Sequence, residues 1–400
     1  MGLREVLGDY FKPYTPGVPL EIMGERDWEQ LWLKGRDDIV AKSILVKRGM
    51  LDCITLVESV KFDIRNREVL LKLSNSITCT LVDLPEPEEI REIAQNPVRV
   101  MVFSTKGKVV CHVNKVYGGS YDIARIVRAI EERGVSPLKV LVAGYGYVPE
   151  RMMLRMMLPR ILSLFKVDGI PVYALQLTPA ATGKSSFMLR NRIAFNWAYC
   201  SEAPSLAYLV YNAKDGFPGV VHYRSGVGFD GVEKWSQQPL RISKDLEMFL
   251  TGMEQGVWSR GVATPLQEVT KFLNMFFAGN IVTRGAKSDR EEAYSVLVGV
   301  MPPSQFLDRI AVVDVTLEDV DALRHYTGYV LPDSILRGLV QHYEREASKI
   351  RDVSSSLSKR YERHSRAVQR VLLALGVKHN PDDADAIVMD GFSRHWHRVI

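Results

Sequence analysis

The spacing of hydrophobic positions changes along the chain, and each change predicts a different kind of structure. In the first 140 or so residues, apolar runs of strand length dominate, at 69–73, 77–82, 98–103 and 108–116. The turn-forming pair Lys106-Gly107 separates the last two, as in a hairpin. Residues 86–96 predict a helix that opens in an acidic, proline-containing turn and stops before Pro97. Residues 123–133 carry apolar positions at helical spacing and end at Gly134, a suitable helix-terminating glycine. A small α+β module is expected.

Tyr145-Gly146-Tyr147-Val148-Pro149 interrupts this pattern and predicts a boundary. Residues 149–165 then read as a helix carrying Met152, Met153, Met156 and Met157. A packed face is favoured there over an exposed sticky one, because methionine commonly fills irregular core gaps. From 170 to 315 apolar strands alternate with helices, the mark of an α/β sheet. The segments are a strand at 170–177, a helix at 184–199, a short strand or helix at 207–211 and an extended piece at 219–223. A helix at 245–253 and strands at 271–278 and 310–314 follow. Beyond residue 317 the pattern is helical, at 317–326, 333–354 and 359–375. The predicted organisation is an α+β domain over 1–147 suited to nucleic-acid binding, an α/β nucleotide-binding core with a parallel sheet over 148–316, and a helical lid and tail over 317–400.

Composition narrows the classes. With 46% hydrophobic and 25% charged residues the chain has ample material for large cores, which excludes wholesale disorder. A net charge of +5 permits nucleic-acid binding without demonstrating it. Cys53, Cys79, Cys111 and Cys200 lie far apart with no C-x-x-C pair, so reduced thiols are expected rather than a zinc or disulfide framework. Apolar runs fall well short of the roughly 20 residues a membrane span needs. The N-terminus carries no signal-peptide stretch. A cytoplasmic protein with no membrane partner is expected.

The sharpest chemical feature is Thr178-Pro179-Ala180-Ala181-Thr182-Gly183-Lys184-Ser185, followed by Ser186, between a buried strand and a helix. In that context main-chain amides and the helix N-terminus face an anion. Lys184 would neutralise β- and γ-phosphate oxygens, Ser185 would hold Mg²⁺, and Gly183 would let the backbone come close. The full pattern is G-x-x-x-x-G-K-[ST]; here Thr178 stands at the first glycine. The bland alternative is a strand–helix turn with a surface lysine.

Such a site needs a second carboxylate for the metal. Asp230, ending Gly226-Val227-Gly228-Phe229-Asp230, is the candidate, against a loop aspartate as alternative. The next position, where a water-polarising glutamate is usual, is Gly231; Glu233 is the nearest acid and could instead face solvent. Asn280, closing the apolar run from Met275, would orient the attacking water, or it is simply a turn asparagine. Arg309, just before the strand at 310–314, suits an arginine finger reaching a neighbouring subunit's γ-phosphate, or a surface pair with Asp308.

With the loop, Asp230, Asn280 and Arg309 in that order, the chain resembles the AAA+ ATPases. More narrowly, it resembles the Lon-like ATPase of the BREX phage-defence systems, whose core is similar to the minichromosome maintenance helicases. The resemblance covers roughly 150–375. It rests on residues 150–165 running into Tyr173-Ala174-Leu175-Gln176-Leu177, on Ala207-Tyr208-Leu209-Val210-Tyr211-Asn212, on Gly228-Phe229-Asp230, on Phe277-Ala278-Gly279-Asn280-Ile281 and on Phe306-Leu307-Asp308-Arg309. Ala367-Val368-Gln369-Arg370 is similar to the family's C-terminal A-V-R-R, which implies that Arg370 is a lid arginine sensing nucleotide; otherwise it is a helix charge. The chain departs from the family at Thr178 and Ala181, in place of two glycines, and at Gly231, in place of the glutamate. The Lon-type protease domain is not expected, since the chain ends at Ile400, and neither is proteolysis.

The family and its helicase relatives insert a channel hairpin between the positions of Asp230 and Asn280. Gly256-Val257-Trp258-Ser259-Arg260-Gly261 is similar to it. Trp258 would stack on a base and Arg260 would grip phosphate, or Trp258 is a core residue beside a surface arginine. The basic run from Lys349 to Arg370 could line a DNA path, but a solvated helix face interleaved with Asp352 and Glu362 is favoured; His395-Trp396-His397 is expected to be a docking or exposed tail. The combined expectation is an AAA+ core using ATP and Mg²⁺. It would work as a homo-oligomeric ring, a hexamer, that remodels or translocates along DNA in mobile-element replication or phage defence. The alternative is a hydrolysis-poor DNA-binding scaffold. A P-loop kinase is a third class, disfavoured by the helical C-terminal region.

Overall fold

The computed structural model describes residues 7–63, 66–82, 85–105, 107–119, 121–203, 205–212, 217–237, 243–259, 268–282, 285, 288–298, 303–318 and 321–400. Two helices that the strand-rich sequence reading passed over come first, α1 (Trp28–Arg36) and α2 (Asp38–Arg48). Asp37 caps α2 by accepting from the amides of Ile39 and Val40 at 3.0 and 2.9 Å. Strands β1 (Met50–Thr55), β2 (Val57–Asp63), β3 (Glu68–Leu73), β4 (Thr78–Leu81), β5 (Val98–Thr105) and β6 (Lys108–Val116) form one sheet in the order β1-β5-β6-β4-β3-β2. Only β4 and β6 pair in parallel. β1 and β2 sit at opposite edges yet are joined through Leu56 alone, so the sheet must curl until its edges meet at that corner. Inside the curl lie the buried free thiols Cys53, Cys79 and Cys111 with Val60, Leu71 and Val100. Helix α3 (Pro87–Gln95) falls where its acidic turn placed it, closed by a Glu86/Glu89 capping box.

The second sheet is wholly parallel. Its strands are β7 (Ala174–Thr178), β8 (Trp197–Cys200), β9 (Gly226–Asp230), β10 (Asn274–Asn280) and β11 (Val312–Val315), in the order β8-β9-β10-β7-β11. Alternate residues serve two cores. Ala174, Phe276, Ala278 and Val312 face one, filled by α4 (Ile123–Glu132), α5 (Pro137–Gly144), α6 (Arg151–Leu162) and the C-terminal helices. Leu175, Leu177, Phe229, Phe277 and Val313 face the other, with Trp235, Phe249, Trp258 and Phe306. Register sets Thr178 beside Asn280 and Asp230 beside Ala278, so the carboxyl ends of β7, β9 and β10 share one edge. In open α/β sheets that edge is where ligands bind. This is the AAA+ α/β core, with helices α9 (Asp333–Lys349), α10 (Lys359–Ala374) and α11 (Pro381–Met389) behind it.

Three of the expected elements change in kind. The helix predicted at 184–199 is α7 (Lys184–Ala194); Asn196 adopts a left-handed conformation (φ 54°), and 197–200 become the edge strand β8. Residues 219–223 contain a single helical turn, Val220–Tyr223, not an extended piece. The helix predicted at 317–326 is absent from the described residues of that stretch. The chain there turns and bonds to the break before α6, with Val148 N–H donating to His325 O at 2.9 Å and Thr327 N–H to Gly146 O at 2.7 Å. The methionines of α6 are core, as favoured: Met153, Met156 and Met157 are wholly buried. Among the described residues no helix is long and apolar enough to cross a membrane.

Candidate nucleotide site

β7 is buried throughout and delivers the chain into the loop 179–183, from which α7 starts at Lys184. Gly183 is the N-cap with φ 79°, and a Cβ there would stand 2.8 Å from the Tyr147 hydroxyl, so both conformation and room require glycine. Ala181 is also left-handed, at φ 63°, a conformation that costs an alanine more than it would a glycine. Thr178, at the other substituted glycine, lies beneath the loop, its hydroxyl 2.8 Å from that of Thr182. Lys184 Nζ donates to Thr178 O (3.1 Å), Thr178 Oγ1 (2.8 Å), Pro179 O (2.8 Å) and Thr182 Oγ1 (3.3 Å). Burial, with the Arg160 charge behind it, brings the Lys184 ammonium down to about 8. An anion in the cradle would relieve that penalty.

Ser185 Oγ donates to Asp230 Oδ2 at 2.6 Å, and the Tyr199 hydroxyl donates to the same oxygen at 2.8 Å. Burial and that carboxylate push Tyr199 up to about 12, so it remains a donor. Asn280 Nδ2 donates to Glu233 Oε1 at 3.1 Å. Gly231, at φ 71°, turns the chain so that Glu233, two positions past the usual place, faces Asn280. One cavity of about 870 Å³ is lined by residues 180–186 together with Tyr199, Asp230 and Asn280, a size usual for ligand pockets. The donor set fits a magnesium nucleotide: hydroxyl and carboxylate oxygens at the mouth, an ammonium and a helix N-terminus in the cradle.

Two buried arginines that sequence reasoning missed brace the loop from behind. Arg160 donates from Nε to Gln176 Oε1 at 2.7 Å and from Nη2 to Thr182 O at 2.9 Å. Gln176 Nε2 donates to Asp314 Oδ2 at 2.8 Å, and Arg155 pairs with Asp314 at 3.5 Å. Charges inside the apolar run Met152–Leu162 were the available signal. Tyr199 gave none, since it was placed inside a helix.

The other candidates lie elsewhere. Arg309 precedes β11, at the opposite edge of the sheet from the loop. Its Nε donates to Leu250 O at 3.0 Å, and it pairs with Glu254. Arg370 shares a hollow with Asp168 and Ala311 at that same far edge; it bonds Asp168 (2.7 Å), Ala347 O (2.9 Å) and Ser348 O (2.7 Å). These bonds hold its guanidinium away from the loop of its own chain. Trp258 corrects the base-stacking expectation: it lies mid-strand in the hairpin Val257–Ser259/Glu268–Thr270, but its ring is wholly buried against Gly252 and Phe249, with Nε1 donating to Lys271 O at 2.8 Å. Arg260 lies outside the described residues. In the basic run, Lys349, Arg351, Arg360, Arg366 and Arg370 all carry acidic partners. The tail docks: Arg151 lies 5.0 Å over the Trp396 ring, and His395 bonds Asp390 at 3.1 Å. No cluster of three metal ligands occurs among the described residues.

A phosphate loop closing the inner strand β7 of this parallel sheet, with a serine–aspartate pair across it, defines an AAA+ ATPase domain. The chain belongs to the family described as "Lon-like protease BrxL-like, ATPase domain", which matches residues 135–375. It is 33% identical over 246 residues to the uncharacterized protein ORF425 of Acidianus filamentous virus 2 (isolate Italy/Pozzuoli), covering 55% of this chain and 57% of that protein. It is 26% identical over 260 residues to the uncharacterized protein ORF426 of Acidianus filamentous virus 1 (isolate United States/Yellowstone), covering 59% and 61%. The chain thus spans less than two thirds of either relative. Among solved structures, a full-length MCM homolog from Methanopyrus kandleri matches with TM-score 0.46 at 10% identity, over 88% of this chain and 78% of that one.

Proposed function

We propose that the chain is a ring-forming ATPase that binds DNA and uses ATP hydrolysis to remodel or translocate along it, as a homo-hexamer. The observation carrying the ATP part is the meeting of Lys184, Ser185, Asp230 and the Glu233–Asn280 pair at one sheet edge. Lys184 and the amides of 180–186 would hold the β- and γ-phosphates. Ser185 and Asp230 would hold Mg²⁺, which supplies charge neutralisation at the phosphate oxygens. Glu233 would accept a proton from the attacking water while Asn280 fixes the carboxylate's direction. Arg309, remote from its own loop, would serve the neighbour's γ-phosphate after leaving Glu254. DNA contact is not assigned to Trp258, whose ring is wholly buried. The ATPase unit itself is better begun near residue 122 than at 148, because α4 and α5 share one core with α6 and α9.

A second reading, a nucleotide-holding scaffold with little turnover, is favoured by Gly231 and by the strained Ala181. Steady-state hydrolysis with and without DNA separates the two. Turnover that DNA stimulates and Arg309→Ala abolishes supports the motor; tight ATP binding without turnover supports the scaffold. ATP-analogue binding that survives Lys184→Ala rejects both.

A further inference from the structure

The cavity that starts at the phosphate loop does not end in its own sheet. Its far wall includes Tyr14, Gly17, Trp32 and Arg36, from the N-terminal arm and α1. That arm is fastened to the ATPase core. Lys12–Pro13 pairs antiparallel with Tyr329–Val330, Tyr14 N–H donates to Gly328 O at 2.9 Å, and Glu21 Oε1 accepts from Ser334 N and Oγ at 3.1 Å each. The Tyr14 ring is backed by the Arg190 guanidinium at 4.7 Å, itself held by Asp333 at 3.0 Å. Arg36 Nη1 donates to Gly17 O at 3.3 Å and packs 5.7 Å over Trp32. Lining the same cavity are Tyr147 and Tyr326, ring centroids 5.6 Å apart, and the buried Tyr326 hydroxyl has no hydrogen-bond partner among the described residues. Aromatic walls suit a heterocyclic base, and base–aromatic stacking tolerates many sequences and bases.

We propose that the N-terminal arm, through Tyr14, forms the outer wall of a nucleobase pocket completed by Tyr147 and Tyr326, so that nucleotide occupancy and seating of the arm are coupled. This rests on the nucleotide reading of the loop.

The test is calorimetric titration of ATP and of inorganic tripolyphosphate, each with Mg²⁺, into the full chain and its Tyr14→Ala and Tyr14→Phe variants. Tyr14→Ala should weaken ATP roughly tenfold while leaving tripolyphosphate affinity unchanged, and Tyr14→Phe should restore ATP binding because the ring is kept. Unchanged ATP affinity in Tyr14→Ala overturns the proposal, as does an equal loss for both ligands, which would mean a structural role. If the unaltered chain binds neither ligand, the nucleotide reading falls and takes the base pocket with it. If it binds tripolyphosphate normally with ATP affinity indifferent to Tyr14, only the arm's role falls.

Discussion

Lys184 shows how one side chain can report on an entire site. Its ammonium is brought from 10.5 to about 8 chiefly by burial, then by Arg160, against the attraction of Asp230, Glu233 and Asp314. The sign follows from linkage. Between about 8 and 10.5 the unfolded chain keeps this proton and the folded chain has lost it, so the group's contribution to stability rises with pH across that window. Nucleotide binding runs the other way, because the phosphates need the charged form. ATP affinity should hold steady below about pH 8 and fall above it, with proton uptake rising from near zero below that pH toward one per nucleotide bound above it; titrations in two buffers of different ionisation enthalpy measure that uptake. A pH-independent affinity would remove Lys184 from the cradle. Glu233 makes a separate prediction. Glu233→Gln should cut ATP turnover about 10²-fold or more while leaving ATP affinity intact, the magnitude usual for a lost general base. A variant with normal turnover would show that the acid beside Asn280 is only a structural partner.

Among elements, the hairpin after α8 (Ser243–Gln255) is where the structure most changes the sequence reading. The resemblance of residues 256–261 to a channel hairpin offered Trp258 for base stacking, yet its ring fills the space above Gly252, which has no side chain. Trp258→Ala should therefore cost about 3–5 kcal/mol in denaturant unfolding, the range for emptying a buried tryptophan site. DNA affinity, compared at equal folded fraction, should be unaffected; a selective loss of DNA binding in a stable variant would restore the stacking role. The contrast explains what was legible. The loop after β7, Asp230 and Asn280 could be placed at strand ends because each closes a strand whose apolar run is local. The same holds for α3, bounded by its acidic turn and Pro97, and for α6, whose methionines are core. Residues 321–326 and 197–200 were misread because their conformation is set by distant partners, Val148 in one case and β9 in the other. Nothing local marks Tyr199 as a partner of Asp230. The Arg160–Gln176–Asp314 network likewise joins residues whose proximity exists only after the sheet forms.

For the molecule as a whole, the open question is whether one chain makes a complete site. Lys184, Ser185, Asp230 and Asn280 gather at the carboxyl edge of the parallel sheet, whereas Arg309 and Arg370 sit at the amino edge. A strand of five residues separates those edges by roughly 15 Å, too far for a side chain to span. If hydrolysis needs Arg309, it must come from another copy, through a head-to-tail contact that repeats until a ring closes. The consequence is a complementation test. Lys184→Ala keeps Arg309 but cannot hold nucleotide; Arg309→Ala holds nucleotide but offers no finger; each alone should be inactive. Mixed in equal amounts before assembly, they should place an intact loop against an intact arginine at about a quarter of interfaces, so hydrolysis should recover toward that fraction if sites fire independently. A mixture as inactive as its components, under conditions where mixed assemblies are verified by mass, would mean that the arginine acts within one chain or not at all. The bonds of Arg309 to Glu254 and Leu250 would then be its whole purpose.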